Sequence, residues 1–140
     1  MIKDTINELY EALRLVTYRQ LFGRIREREG SLSATEVFAA DMIYLLGSPT
    51  VTQLADALGV SQPNATYKIT NLVAKGYVKK TPSEDRRESR VTADERFHMY
   101  YDAATQFLTG AGEKLSEEYS REELELFERM LRSLNSYIAE

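Results

Sequence analysis

Apolar residues recur at three- and four-residue spacing over most of this chain, and the period shortens in only one place. Ile6, Leu9, Leu13 and Val16 form such a row in a segment over roughly 4–28, before Gly30 ends it. Ala65, Ile69 and Leu72 form another, in a segment that begins near Ser61 and stops at Gly76. Pro63 falls in its first turn, where a missing N–H costs nothing. Helix starts are marked independently. Ser33-Ala-Thr-Glu36, Thr50-Val-Thr-Gln53, Thr92-Ala-Asp-Glu95 and Ser120-Arg-Glu-Glu123 each match the capping box, in which a hydroxyl and a Glu or Gln side chain satisfy orphan N–H groups reciprocally. These signals predict four helix starts, making six helices in all.

Between Gly76 and Thr92 the pattern changes to short β-branched and aromatic runs, YVKKT and ESRVT, joined by the polar PSEDRR. That is the composition of a small antiparallel hairpin. Ahead of it, ALGVS lies between two predicted helices, where Gly59 can take the backbone conformation of a sharp reversal and Val60 can pack between them. Helix, tight turn, helix and hairpin make a winged helix-turn-helix. The predicted fold is therefore mainly α with a small β-hairpin wing, flanked by N- and C-terminal dimerisation helices. Residues 1–140 read as one domain, with a winged-helix lobe over 32–92 and a helical dimerisation region over 1–30 and 94–140. In the last helix Leu124, Phe127, Leu131, Leu134 and Ile138 form a narrow stripe suited to packing another helix, and Ile6 and Leu9 supply the N-terminal counterpart.

At 140 residues the chain suits one hydrophobic core, and its 43% hydrophobic content is that of a globular protein. No run of about 18 apolar residues occurs and the N-terminus mixes charge with apolar residues, which predicts a cytoplasmic protein. With no cysteine and the single histidine His98, disulfides, thiol chemistry and a multi-histidine zinc site are excluded within one chain. Phosphate-binding glycine loops, nucleophile elbows and metal-ligand clusters are absent from the sequence, so no catalysis, cofactor or metal is expected.

Charge adds the decisive detail. The whole chain carries −4, yet residues 60–91 hold seven cations, Lys68, Lys75, Lys79, Lys80, Arg86, Arg87 and Arg90, against Glu84, Asp85 and Glu88. On a helical wheel Pro63, Asn64, Tyr67, Thr70 and Asn71 lie opposite the apolar row, with Gln62 and Thr66 at the margins. That face is polar and almost uncharged, and the cations lie at its edge and on the hairpin. Amides and hydroxyls that read bases, with cations that hold phosphates, would be divided in this way. Double-stranded DNA is the partner this implies. A winged-helix module that binds protein instead is the alternative, and would more naturally expose an apolar patch there. Tyr100 and Tyr101 share helical spacing with Phe97, Ala104, Phe107 and Leu108, which reads as core.

From SPTVTQLADALGVSQPNATYKITNLVAKGYVKK to SEDRRESRV the chain resembles the MarR family of bacterial transcription regulators. A Ser-initiated recognition helix, a Leu three residues before the Lys75-Gly76 pair, and an Asp-Arg-Arg wing tip follow in that family's order. VTADERF departs from it, with Ala93 and Asp94 where the family often has a Leu-Thr pair and a Gly. The resemblance implies a homodimeric repressor on a near-palindromic operator, with interleaved terminal helices and Arg86 or Arg87 reaching the minor groove while Asp85 orients the arginine. It also implies a small-molecule pocket between the dimerisation helices and the DNA-binding lobe, for which Tyr10, Leu13, Tyr18, Phe38, Met42, Tyr100 and Tyr101 are the candidate lining residues.

Overall fold

The computed structural model describes residues 1–26, 32–84 and 88–139. Two compact units divide the chain, Met1–Tyr101 and Asp102–Glu140. The first contains α1 (Ile2–Arg26), α2 (Ala34–Leu45), α3 (Val51–Leu58), α4 (Gln62–Ala74), a hairpin of β1 (Val78–Pro82) and β2 (Ser89–Ala93), and most of α5 (Glu95–Ala104). The second contains α6 (Gln106–Glu118) and α7 (Arg121–Ile138). The expected mainly helical winged-helix architecture is what the chain adopts. Gly30, expected to end the first helix, lies outside the described residues.

Capping boxes close α2 at Ser33 and Glu36, α3 at Thr50 and Gln53, and α7 at Ser120 and Glu123, as the spacing predicts. The fourth expected box does not form. Thr92 lies in β2, where pairing with Lys79 keeps its backbone extended, and its hydroxyl bonds Ser48 Oγ at 3.1 Å and Thr81 Oγ1 at 3.4 Å. The helix starts instead at Asp94, whose carbonyl accepts from the His98 N–H and whose side chain accepts from the Glu95 N–H at 2.7 Å. Farther along, the helical run parts at Thr105, with φ −99° and ψ 3°, between α5 and α6.

The core of the first unit is built from Val37, Ala40 and Ile43 of α2, Leu54 of α3, Ala65, Ile69 and Leu72 of α4, Val78 and Val91 of the hairpin, and Phe97 of α5. They project from four short helices and a two-stranded ribbon, which share one apolar centre that none could close alone. Leu21 brings the end of α1 into the same cluster. Most of α1 keeps its apolar residues in the open, including Leu9, Tyr10, Leu15, Tyr18 and Phe22. In the second unit no residue of α6 or α7 is buried.

Glu36 is the buried charge of this core, and its partner comes from 39 residues away. Lys75 Nζ donates to both Glu36 oxygens at 3.3 Å, and the Ser33 N–H donates to Oε1 at 3.2 Å. Burial pushes the Glu36 carboxyl up, but the Ser33 bonds and the Lys75 ammonium together outweigh it and hold the group below the ordinary carboxylate value. Stability from a depressed carboxylate is present above its unfolded value and lost as pH falls through the folded one. Acid unfolding of a Glu36→Gln variant is therefore expected to be less steep below about pH 4.5 than that of the parent. Lys75→Ala should cost about 1–3 kcal/mol of stability by leaving the carboxylate without its cation. Denaturant titration checks this, and a Lys75→Ala protein of unchanged stability that loses one unit of salt slope on DNA would reassign the ammonium to a phosphate.

Candidate nucleic-acid interface

Gly59 makes the reversal between α3 and α4 at φ 67°, the left-handed region that a side chain resists, and lets the Val60 N–H reach the Ala55 carbonyl at 3.0 Å. Ser61 then caps α4 through the Asn64 N–H, and Pro63 sits in the first turn. With Ala65, Ile69 and Leu72 completely buried, the opposite face of α4 is fixed outward. Gln62, Pro63, Asn64, Thr66, Tyr67 and Thr70 are exposed on it and Asn71 is half-buried. Tyr67 is 68% exposed, which removes packing against neighbours as its role.

The polar groups of this face are already partly engaged. Asn64 Oδ1 accepts from Lys68 Nζ at 2.8 Å, Gln62 Nε2 donates to Thr52 Oγ1 at 2.9 Å, and Thr70 Oγ1 donates to the Thr66 carbonyl at 2.9 Å. Lys75, expected at the phosphate edge, is instead held by Glu36. The spacing that placed it near the end of α4 gave no sign of a partner so far away in sequence.

The hairpin pairs Val78 with Ala93 and ends at Pro82 with Ser89, and Ser83 Oγ donates to the Glu88 carbonyl at 2.7 Å just beyond. Val78, Val91 and Ala93 face the core while Lys79 and Lys80 are exposed. Asp85, Arg86 and Arg87, the expected wing tip, lie outside the described residues. At the root of the wing, Arg90 Nη1 donates to the Ser48 carbonyl at 3.0 Å, Thr92 reaches Ser48 Oγ, and the Val91 N–H donates to the Pro49 carbonyl at 2.8 Å. An isolated bridge joins Thr50 to Arg90. Ser48 is left-handed at φ 64°, a strained setting for a non-glycine residue, and these tethers surround it. None of this root was foreseen; a Gly-Ser-Pro run reads only as a turn.

The candidate pocket residues separate into two groups within the first unit. Tyr101 stacks near Tyr44 with centroids 4.5 Å apart, both against Phe97, and Tyr100 is edge-on to Phe97 at 6.3 Å. Met42 packs on the same core. Tyr44 is a member of this cluster that the helical pattern did not single out. Burial, then the Tyr44 hydroxyl, raise the Tyr101 phenol above its ordinary value. Tyr10 and Tyr18 instead flank Arg14 along α1, with the guanidinium 5.2 and 5.6 Å from the two ring centres, while Leu13 is half-buried and Phe38 half-exposed. Among the described residues no group of three potential ligands could hold a metal ion, and no helix is long and apolar enough to cross a membrane.

The MarR family model matches residues 32–89, which run from the start of α2 through the wing to the start of β2. Over these residues the chain is similar to the MarR family. MarR-family proteins are transcription regulators rather than enzymes. Solved structures of the same fold extend the likeness to the flanking helices. FabT of Streptococcus pneumoniae, in complex with DNA, is 22% identical over 98% of this chain and 97% of its own, with a TM-score of 0.55. The transcriptional regulator Tm0710 of Thermotoga maritima is 18% identical, covering 98% and 95%, with a TM-score of 0.60. A mutant MarR of E. coli, complexed with operator DNA, is 19% identical, covering 96% and 98%, with a TM-score of 0.54. No curated protein sequence matches the chain.

Proposed function

We propose that this chain is a MarR-family protein that acts in the cytoplasm as a homodimeric, sequence-specific DNA-binding transcription regulator, a repressor released from a near-palindromic operator by a small organic effector. The observation that carries the reading is the division of labour on α4 and the wing. Uncharged donors and acceptors occupy the outward face of a helix whose opposite side is locked into the core, with Lys68 half-exposed on the same helix and Lys79 and Lys80 exposed on β1. A major groove admits such a helix, and cations beside it would follow the phosphates. Asn64, Gln62, Thr66, Tyr67, Thr70 and Asn71 would meet base edges or sugars, with Pro63 against the groove wall. Arg86 and Arg87, oriented by Asp85, would enter the minor groove, with Arg90 behind them. FabT and the E. coli MarR mutant, which share this fold, were solved with DNA, and that supports a DNA partner.

Residues 1–30 and 94–140 would form the dimerisation region, with Ile6, Leu9 and the α7 stripe at its centre. Two-fold symmetry then sets the recognition helices about 34–36 Å apart, one turn of duplex. The effector would act by binding one spacing of the heads better than another.

Paired titrations on operator and random duplex test the reading. Asn64→Ala is expected to lose about 1–3 kcal/mol on the operator and almost nothing on random DNA. Replacing Arg86 and Arg87 by Ala should weaken both. Equal losses from Asn64→Ala on the two duplexes would move base readout elsewhere on α4, and a chain that retains no duplex at all would favour the protein-binding alternative.

A further inference from the structure

The carboxyl end of the recognition helix is held by residues of other elements, and their identity bears on how the helix reads DNA, an inference that rests on the DNA-binding role proposed above. Ser61 caps the start of α4 and the row of Ala65, Ile69 and Leu72 seats its middle, whereas Val73 and Ala74, the residues of α4 after Leu72, are exposed. The last carbonyls of a helix have no partner within it. Here the Gly76 and Tyr77 N–H groups turn back to the Val73 and Leu72 carbonyls, with Gly76 left-handed at φ 80°. The Lys75 carbonyl is taken by a side chain of α5: Arg96 Nη1 donates to it at 3.0 Å. The same guanidinium lies over the Tyr77 ring, 5.0 Å from its centre, and Arg96 Cδ is 3.8 Å from where a Cβ would stand at Gly76. Next to it the Asp94 N–H donates to the Tyr77 carbonyl at 2.9 Å. Lys75 is thus gripped twice, its ammonium by Glu36 of α2 and its carbonyl by Arg96 of α5.

A single buried row sets the depth at which a helix sits better than it sets the tilt, so holds at the helix end matter for direction. Direction matters most for base readout. Hydrogen bonds weaken steeply once distance or angle is lost, while the attraction between a cation and a phosphate falls only in proportion to distance. Arg96 is exposed, and an exposed arginine next to a recognition helix would ordinarily be counted among the phosphate contacts. Its bond to a carbonyl and its place over a ring give it partners within the protein instead. We propose that Arg96 is a positioning residue for sequence readout: by tying the end of α4 to the first turn of α5, it holds the tilt at which residues 62–71 reach base edges, without touching DNA itself.

The test starts from a duplex site enriched out of random sequence on the full-length protein. Affinity for that site and for random duplex, the salt slope of each and the denaturation midpoint are then measured for the parent, Arg96→Met and Arg96→Lys. Arg96→Met keeps an unbranched stem and loses the donors and the planar head. It is expected to lower the ratio of site to random affinity by about tenfold or more, the worth of one base contact, with random-duplex affinity and both salt slopes unchanged. Arg96→Lys, whose ammonium can still donate to the Lys75 carbonyl, should recover most of that ratio. An unchanged ratio in Arg96→Met overturns the proposal. So does an equal loss on both duplexes with the slope reduced by about one, since that is how a phosphate contact behaves. A loss on both duplexes that follows a lowered denaturation midpoint overturns it as well, because a cap that only stabilises the fold acts in that way. Failure of the parent to enrich any duplex is a separate result, and overturns the DNA-binding role on which the inference stands.

Discussion

Raising the salt from 50 to 200 mM is expected to weaken operator binding by about 10³- to 10⁵-fold, the response of a protein that neutralises about 6–10 phosphates. Each protomer offers Lys79, Lys80 and Arg90 on the wing and carries Arg86 and Arg87 in the sequence between its two strands, and a dimer would double the set. Lys75 is left out because Glu36 already holds it. The rest of the chain works the other way: with −4 overall, the surface away from this edge repels the duplex and leaves one orientation of approach. Operator titrations at four or five salt concentrations give the slope directly. A nearly flat response would sink the DNA reading, because an interface held by apolar contact has no counterions to release.

Removing residues 121–140 is expected to yield an unstable or monomeric protein with at most weak, single-half-site binding. In α7 the predicted stripe is present but uncovered. Leu124 and Leu134 are half-buried, Phe127 and Leu131 are about two-fifths exposed, and Ile138 is 72% exposed. A second row, Leu126, Met130 and Tyr137, is also open. Between α6 and α7 lies a cavity of about 370 Å³ lined by Leu115, Tyr119, Glu123, Leu124, Leu126, Phe127 and Met130. A helix with apolar residues on two flanks and none buried lacks the cover that would keep it from aggregating. A second copy would provide that cover by the commonest symmetry, and two linked heads would bind far more tightly than one. Sedimentation together with operator titration decides the matter: a well-folded dimer with undiminished affinity would show that α7 belongs to neither the interface nor the binding mechanism.

What could be read in the sequence follows how local each interaction is. Three capping boxes, the Gly59 reversal and the buried row of α4 depend on residues within a few positions of one another, and all are found where their spacing puts them. The outward face of α4 followed from the buried row by geometry alone. Thr92 shows where such reasoning stops. Its local pattern is a good helix start, yet pairing with Lys79 and the bond to Ser48 hold it in a strand. Glu36 with Lys75, and Tyr44 with Tyr101, were equally hidden, because each pair is joined only once the chain has folded. At the recognition face, residue types and exposure were legible. The partners those side chains take, Lys68 for Asn64 and Thr52 for Gln62, were not.

The left-handed Ser48 also defines what can be exchanged between proteins of this architecture. The wing takes its anchorage from residues 48–50, through the Ser48 carbonyl and hydroxyl, the Pro49 carbonyl and the bridge at Thr50. A chimera that imports the hairpin at residues 78–93 alone would arrive without its mooring and could settle at a new tilt. The natural cassette is discontinuous: the turn after α2 must travel with the hairpin.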